Sequence, residues 1–332
     1  MYLPNERFSL WCDFVEKDFL GQGFLELIEE GRINGATSNP AIFKTSFLTS
    51  PAYQEAKKQH KGKAPKEIYE ALAIADIHQA AKVLLPQYQA GDDGFVSIEV
   101  DPFLSDDAKG TIAEGKRLFA AIGMPNVMIK VPATTAGFEA MEALMAEGIC
   151  VNATLVFSPA QAAGCLDAFE AGAKRCVSGN PKGVISVFVS RFDRKLDAKL
   201  VAHGMAPFTL GVLNATAIYH IIEKRGLGHV RCLFASTGVK GEGVQPDHYI
   251  QTLLFPNAIN TAPLETLHAF LRNGATKPYP LPSQERIAAY FQEVAKTGVV
   301  MEEVYVALMK EGLDAFHQAF EELLSTLVEE KL

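Results

Sequence analysis

The sequence predicts an α/β fold, a (β/α)8 TIM barrel with additional helices, including a long C-terminal helix. Three observations carry the prediction. Short apolar, β-branched-rich runs recur eight times, amphipathic stretches separate them, and polar residues sit at the C-terminal ends of the runs. Strands alternating with helices make a parallel sheet, and about eight such units close into a barrel. An open doubly wound sheet is the alternative. Its dinucleotide-binding form wants a glycine fingerprint after a strand, which is absent here, although many doubly wound proteins lack one. Residues 1–332 read as a single barrel domain with a helical extension over about 301–331.

The strand runs, in order, are SLWCDF (9–14), INGATSN (33–39), FVSIEVD (95–101), VMIKVPAT (127–134), ICVNATLVF (149–157), VISVFVSR (184–191), VRCLFAST (230–237) and, less clearly, PNAINT (256–261). Helical spacing of apolar residues marks 67–85, 106–123, 136–148 and 158–177. Ser158-Pro159 opens the last of these as a capping serine followed by a first-turn proline. In the final helix Val304, Leu308, Phe316, Phe320, Leu323 and Leu327 lie on or near one stripe.

Alternation along a strand assigns faces. Val127, Ile129 and Val131 share one side, with Met128 and Lys130 opposite. Val96, Ile98 and Val100 oppose Ser97, Glu99 and Asp101. Asn152 and Thr154 oppose Val151, Ala153 and Leu155, while Ser186 opposes Ile185 and Val187. Thr37 and Asn39 fall together. In a barrel the apolar face packs under the helices and the mixed face looks into the lumen. Asp13, Asn39, Glu99, Lys130, Asn152, Thr154 and Ser236 are therefore expected at one mouth, where barrel active sites form.

Each residue has a bland reading. A lone strand-end Asp or Asn usually caps a helix or forms a turn. A lysine in an apolar strand can snorkel to water along its stem. Glu99 is harder to dismiss, because glutamate is a poor strand residue. Convergence on one mouth shifts the balance toward a site.

Composition narrows the partners. Of the 332 residues 48% are hydrophobic and 21% charged, which suits a large core and no disordered chain. The net charge of −8, without a basic stripe, argues against nucleic acid. An anionic ligand would need a few local cations working against this overall field. No apolar run reaches membrane-spanning length, and MYLPNERFSLWCD lacks a signal pattern, so a soluble, cytoplasmic protein is expected. Cys12, Cys150, Cys165, Cys176 and Cys232 have no paired spacing and read as reduced thiols. The scattered histidines give no metal motif. STGVKGEG (236–243) is glycine-rich but lacks phosphate-loop spacing.

Six stretches, GATSNPAIF (35–43), VSIEVDP (96–102), IKVPAT (129–134), GICVNATLVFS (148–158), SVFVSRFD (186–193) and FASTGVKG (234–241), occur in an order that resembles the transaldolases of the pentose phosphate pathway. The resemblance runs from about residue 8 to the C-terminal helix. It is closest to the longer bacterial branch with a Trp-x-Asp start. It implies a (β/α)8 barrel, no metal and no organic cofactor. The implied reaction moves a dihydroxyacetone unit from a ketose phosphate (fructose 6-phosphate or sedoheptulose 7-phosphate) to an aldose phosphate such as erythrose 4-phosphate or glyceraldehyde 3-phosphate.

By the same resemblance Lys130 forms the Schiff base, Asp13 exchanges the proton of the fourth-carbon hydroxyl, and Glu99 with Thr154 and a water shuttles protons. Asn39 and Asn152 match substrate-binding asparagines, with Thr37 and Ser186 beside them. Arg191 and Ser236 match the phosphate site. Many members carry an arginine two residues after that serine, where this chain has Gly238; Lys240 is the replacement to consider. Related small aldolases carry glutamine at the Glu99 position and tyrosine at the Phe188 position, so the pair present here favours transfer over cleavage. Attack on a ketone needs an uncharged Lys130. Ionised Glu99 and Asp13 nearby would oppose that, so burial must dominate or the carboxylates must stand away. A Schiff-base aldolase releasing dihydroxyacetone and a non-catalytic sugar-phosphate-binding barrel are the competing readings. Oligomeric state stays open, with a homodimer compatible.

Overall fold

The computed structural model describes residues 2–274 and 280–329. Eight parallel strands close into a barrel in sequence order, β1 to β8. The first part of the chain runs β1 (Ser9–Cys12), α1 (Lys17–Gly21), α2 (Gly23–Glu29), β2 (Gly35–Thr37), α3 (Pro40–Thr49), α4 (Gln54–Gln59), α5 (Pro65–Gln89) and β3 (Phe95–Glu99). Then come α6 (Ala108–Ile122), β4 (Val127–Pro132), α7 (Thr135–Ala146), β5 (Cys150–Val156), α8 (Pro159–Arg175), β6 (Gly183–Phe188), α9 (Ser190–Ala202) and α10 (Leu210–Arg225). The last part holds β7 (Val230–Ala235), α11 (His248–Thr252), β8 (Ile259–Ala262), α12 (Leu264–Asn273), α13 (Gln284–Lys296) and α14 (Met301–Glu329).

Each of the eight runs read from the sequence overlaps a strand, including the weak PNAINT. The strands are shorter than the runs, because the polar ends turn into loops and helix caps. The run 184–191 is the clearest case: β6 stops at Phe188, and Arg191 falls in the first turn of α9. Ser158 caps α8 with Gln161 in a reciprocal capping box, with Pro159 at the first position. Residues 330 and 331 of the expected final helix lie outside the described residues.

Alternation sorts the apolar side chains into two cores. Val96, Ile98, Val127, Ile129, Val131, Val151, Ala153, Ile185 and Val187 belong to the layer between strands and helices. Trp11, Phe95, Met128, Cys150, Val184, Leu233 and Ile259 belong to a separate cluster inside the barrel. Gly35 serves this inner packing, since a Cβ there would meet the Trp11 ring at 2.4 Å.

One assignment fails. Leu155 was expected on the outer face with Val151 and Ala153, yet it joins the inner cluster. The pairing of β5 with β6 shifts register between Ala153 and Val156, and Leu155 has φ 56°. A bulge inserts one residue and reverses the alternation beyond it. Gln161 secures the bulge, with its Nε2 donating to Leu155 O at 3.0 Å and Ala133 O at 3.1 Å.

The stripe of α14 is buried along its length, but against two different partners. Val304, Leu308 and Phe316 join the inner cluster, whereas Phe320, Leu323 and Leu327 join the outer one. The helix therefore crosses the barrel mouth and then packs beside α3 and α5. Cys12, Cys150, Cys165 and Cys232 are buried free thiols and Cys176 is partly buried. Among the described residues no helix is long and apolar enough to cross a membrane.

Candidate active site

Strand register builds the site. Glu99 pairs with Lys130, and Lys130 with Asn152, so three neighbouring strands hold polar side chains at one level of the lumen. Lys130 is 5% exposed. Its Nζ donates to Ser38 O at 3.1 Å and to Glu99 Oε2 at 3.3 Å. The Phe316 ring centroid lies 5.7 Å from the same Nζ. Glu99 thus stands against the lysine, so of the two alternatives, dominant burial or distant carboxylates, the second does not hold for Glu99. Burial pushes the Glu99 carboxyl up to about 7, outweighing the opposing pull of Lys130.

Lys130 opens onto a cavity of about 220 Å³ at the C-terminal mouth. Asp13 follows β1 and lines this cavity, as do Thr37, Asn39, Ser186, Phe188, Arg191 and Ser236. Thr37 Oγ1 donates to Asp13 Oδ1 at 2.6 Å and lies 2.7 Å from Thr261 Oγ1. One hydroxyl carries one proton, so Thr261 donates to Thr37 and Thr37 to Asp13. Burial pushes the Asp13 carboxyl up, with Lys130 and the Thr37 hydrogen bond opposing.

Asn39 serves two ends. Its Oδ1 caps α3 by accepting from Ile42 N at 3.0 Å, while the residue lines the cavity. The capping reading therefore holds, and the residue also faces the cavity where the resemblance places it. Asn152 is fully buried, and does not line the cavity. Its Nδ2 donates to Ser97 Oγ at 3.0 Å and its Oδ1 accepts from Ser186 Oγ at 2.7 Å, so it positions Ser186. Thr154 is buried too, and its Oγ1 has no hydrogen-bond partner among the described residues.

The cationic end of the cavity is built by α9, which carries Arg191. The Arg191 guanidinium lies over the Phe188 ring at 5.2 Å and the Phe157 ring at 6.0 Å. Burial, then repulsion from Arg194, pushes it down to about 10, which leaves a cation at neutral pH. Gly312 of α14 makes room, since a Cβ there would meet Leu155 Cδ2 at 2.9 Å and Arg191 Nη1 at 3.2 Å. Ser236 has φ 55°, and its Oγ lies 3.1 Å from Ser190 Oγ. Arg194 and Lys195 line an adjoining hollow with Arg191 and Glu311; Glu311 pairs with Lys195 at 2.5 Å, and the two arginines keep the local field positive despite the net charge of −8. Lys240 is exposed in the loop after β7 and does not line the cavity. Gly238 is close-packed, with Pro263 Cγ 3.3 Å from where its Cβ would stand.

Sequence reasoning missed Ala41, Ala235, Thr261, Ala315 and Phe316 in the lining. Thr261 had a readable signal, because it alternates onto the inward face with Ile259. Phe316 was seen only as one member of a helical stripe.

The chain is similar to known proteins along nearly its whole length. Residues 10–327 match the family model described as transaldolase/fructose-6-phosphate aldolase. A transaldolase from Helicobacter pylori (strain P12) is 45% identical over 323 residues, covering 97% of this chain and 99% of that protein. A transaldolase from Campylobacter jejuni subsp. doylei is also 45% identical, over 332 residues, covering 97% of this chain and 100% of that protein. The chain belongs to the transaldolase/fructose-6-phosphate aldolase family.

Proposed function

We propose that the chain is a transaldolase in which Lys130 forms a Schiff base with a ketose phosphate and passes a dihydroxyacetone unit to an aldose phosphate. The observation that carries this is Lys130 buried against Glu99 and opening onto the cavity that Asp13 and Arg191 line. Lys130 attacks the ketone, and the carbinolamine hydroxyl leaves as water with a proton from Glu99. Thr154 holds the water that exchanges with Glu99. Asp13 takes the proton from the fourth-carbon hydroxyl as the bond between the third and fourth carbons breaks. The electron pair passes into the iminium, giving an enamine. The aldose phosphate formed by cleavage leaves, the enamine carbon attacks the acceptor aldehyde as Asp13 returns the proton to its oxygen, and one water hydrolyses the new iminium to release the ketose phosphate and free Lys130.

Asn39 and Ser186 hydrogen-bond substrate hydroxyls, with Asn152 and Thr37 fixing the groups beside them. Arg191 and Ser236 hold the phosphate, and Arg194 adds to the positive field around it. Lys240 is a peripheral charge in this reading. Donor and acceptor share the phosphate anchor, so both present the same reacting end to Lys130. Phe188 and Glu99 favour transfer over release of free dihydroxyacetone. The chain works as one barrel domain whose mouth is covered by its own final helix. A cytoplasmic location suits substrates that are charged sugar phosphates.

Borohydride trapping with fructose 6-phosphate tests the assignment. The protein should gain one reduced donor adduct, and Lys130→Met should abolish it. An absent adduct, or one that persists in Lys130→Met, refutes the mechanism. Turnover without erythrose 4-phosphate as fast as with it would instead favour an aldolase.

A further inference from the structure

We infer that Phe316 is a specificity-determining residue that roofs Lys130 and keeps water from the enamine, so that the carbon fragment goes to an aldehyde. The inference rests on the transaldolase reading above. Phe316 comes from α14, not from the barrel, and lines the cavity with its neighbour Ala315. Its ring centroid is 5.7 Å from Lys130 Nζ, and the residue is 7% exposed. The polar neighbours of that nitrogen, Ser38 O and Glu99, belong to the barrel wall. The ring closes the side from which the helix crosses the mouth.

The roof is fixed at several points. Tyr305 Oη donates to Asn214 Oδ1 at 2.9 Å, and Gln161 Nε2 lies 3.4 Å from Met309 Sδ. Next to Phe316, the His317 ring stacks on Phe103 with centroids 4.8 Å apart and planes 6° apart. His317 Nε2 also lies 2.8 Å from Pro102 O. Further along, Glu322 pairs with Lys44 of α3. These anchors reach α8, α10, α3 and the turn after β3, so the ring is held over the lysine from both directions along the helix.

The chemistry explains why an apolar roof matters. After cleavage the enamine has two fates. Attack on an aldehyde forms a new carbon–carbon bond and completes transfer. Alternatively the enamine carbon takes a proton from water, giving an iminium. A water oxygen then adds to the second carbon, the carbon–nitrogen bond breaks, and dihydroxyacetone leaves with the free Lys130 amine restored. The second route consumes one water and needs no other reactant. Excluding water slows it while leaving the first route open.

The test is the ratio of dihydroxyacetone release to transfer, measured with fructose 6-phosphate with and without erythrose 4-phosphate. In Phe316→Ala that ratio should rise about tenfold or more, a barrier change of the size that admitting water produces. Where the alanine variant fails to fold, Phe316→Val carries the test, with an expected rise of at least about threefold. Borohydride trapping on Lys130 confirms that each variant still forms the Schiff base. A purely structural role for Phe316 lowers both rates together, and an unchanged ratio in a folded variant overturns the inference. A wild-type protein that forms no adduct defeats the transaldolase reading itself. Normal acceptor-dependent transfer in the wild type, with an unchanged ratio in the variants, defeats only the role of Phe316.

Discussion

Glu99 Oε2 lies 3.3 Å from Lys130 Nζ, with the two side chains 3% and 6% exposed. Adjacent strands hold them in register, so the pair is a property of the sheet and not of a loop. Burial raises Glu99 to about 7, which puts its titration where a proton carrier works best at neutral pH. Glu99→Gln keeps the shape and the acceptor but cannot carry a proton. We expect kcat for transfer to fall by about 10²- to 10³-fold. The ionisation near 7 should also disappear from the pH profile of kcat/KM, which reports the free enzyme. A profile that keeps this limb would assign it to another group.

The second prediction concerns the relay Thr261–Thr37–Asp13. The Thr37 hydrogen bond favours ionised Asp13 and so opposes the effect of burial. Thr37→Val removes that support, and Asp13 then stays protonated to higher pH. The acid limb of kcat/KM should move upward, so the loss of activity should be larger at pH 6 than at pH 8, since the lost hydrogen bond favoured the charged form. Thr261→Val should move the limb the same way by less. Equal losses at both pH values would show that Thr37 acts by packing alone.

Much of this site was legible because strand periodicity is rigid. Once VMIKVPAT is a barrel strand, Lys130 must oppose Ile129 and Val131, and parallel register brings Glu99 and Asn152 beside it. Periodicity failed at Leu155, where a single inserted residue reverses the faces and leaves no mark in composition. It also gave no access to Phe316. The stripe on α14 revealed a buried face, but a helix-to-barrel contact is tertiary, and the same stripe serves both a mouth and an outer wall. Lys240 was named from spacing after β7, whereas the loop carries it away from the cavity. Arg194 was overlooked because a helix surface arginine is ordinarily solvated, and only the placement of α9 sets it beside Arg191.

Arg191 should not tolerate lysine. Its planar guanidinium lies over Phe188 and offers a fork that an ammonium lacks. We expect Arg191→Lys to raise KM for fructose 6-phosphate about 10- to 100-fold, the equivalent of losing ~1.5–3 kcal/mol of charge-assisted hydrogen bonding. Turnover of unphosphorylated fructose should hardly change. Gly312→Ala makes a subtler version of the same test. A helix gains up to ~1 kcal/mol from that exchange, which offsets the crowding of Leu155 and leaves stability near wild type. The new methyl still meets Arg191 Nη1, so KM should rise severalfold. If Arg191→Lys weakens fructose and its phosphate equally, the arginine does not read the phosphate.

The last prediction concerns stability away from the site. Asp76 of α5 is 4% exposed, and Tyr53 Oη donates to its Oδ2 at 2.6 Å. The same Tyr53 oxygen accepts from Lys17 N at 2.8 Å, tying α5 to the start of α1. Burial pushes Asp76 up from 3.8 to about 7, against the pull of the Tyr53 hydrogen bond. Between those values the folded protein holds a proton that the unfolded chain has released. Stability from this group is therefore complete below about pH 4 and is lost as pH rises through about 7. Asp76→Asn still accepts from Tyr53 and cannot ionise. It should stabilise the protein at pH 8 relative to pH 5 by on the order of 3 kcal/mol. Denaturant unfolding at the two pH values measures this difference. A difference near zero would mean that Asp76 ionises alike in the folded and unfolded chain.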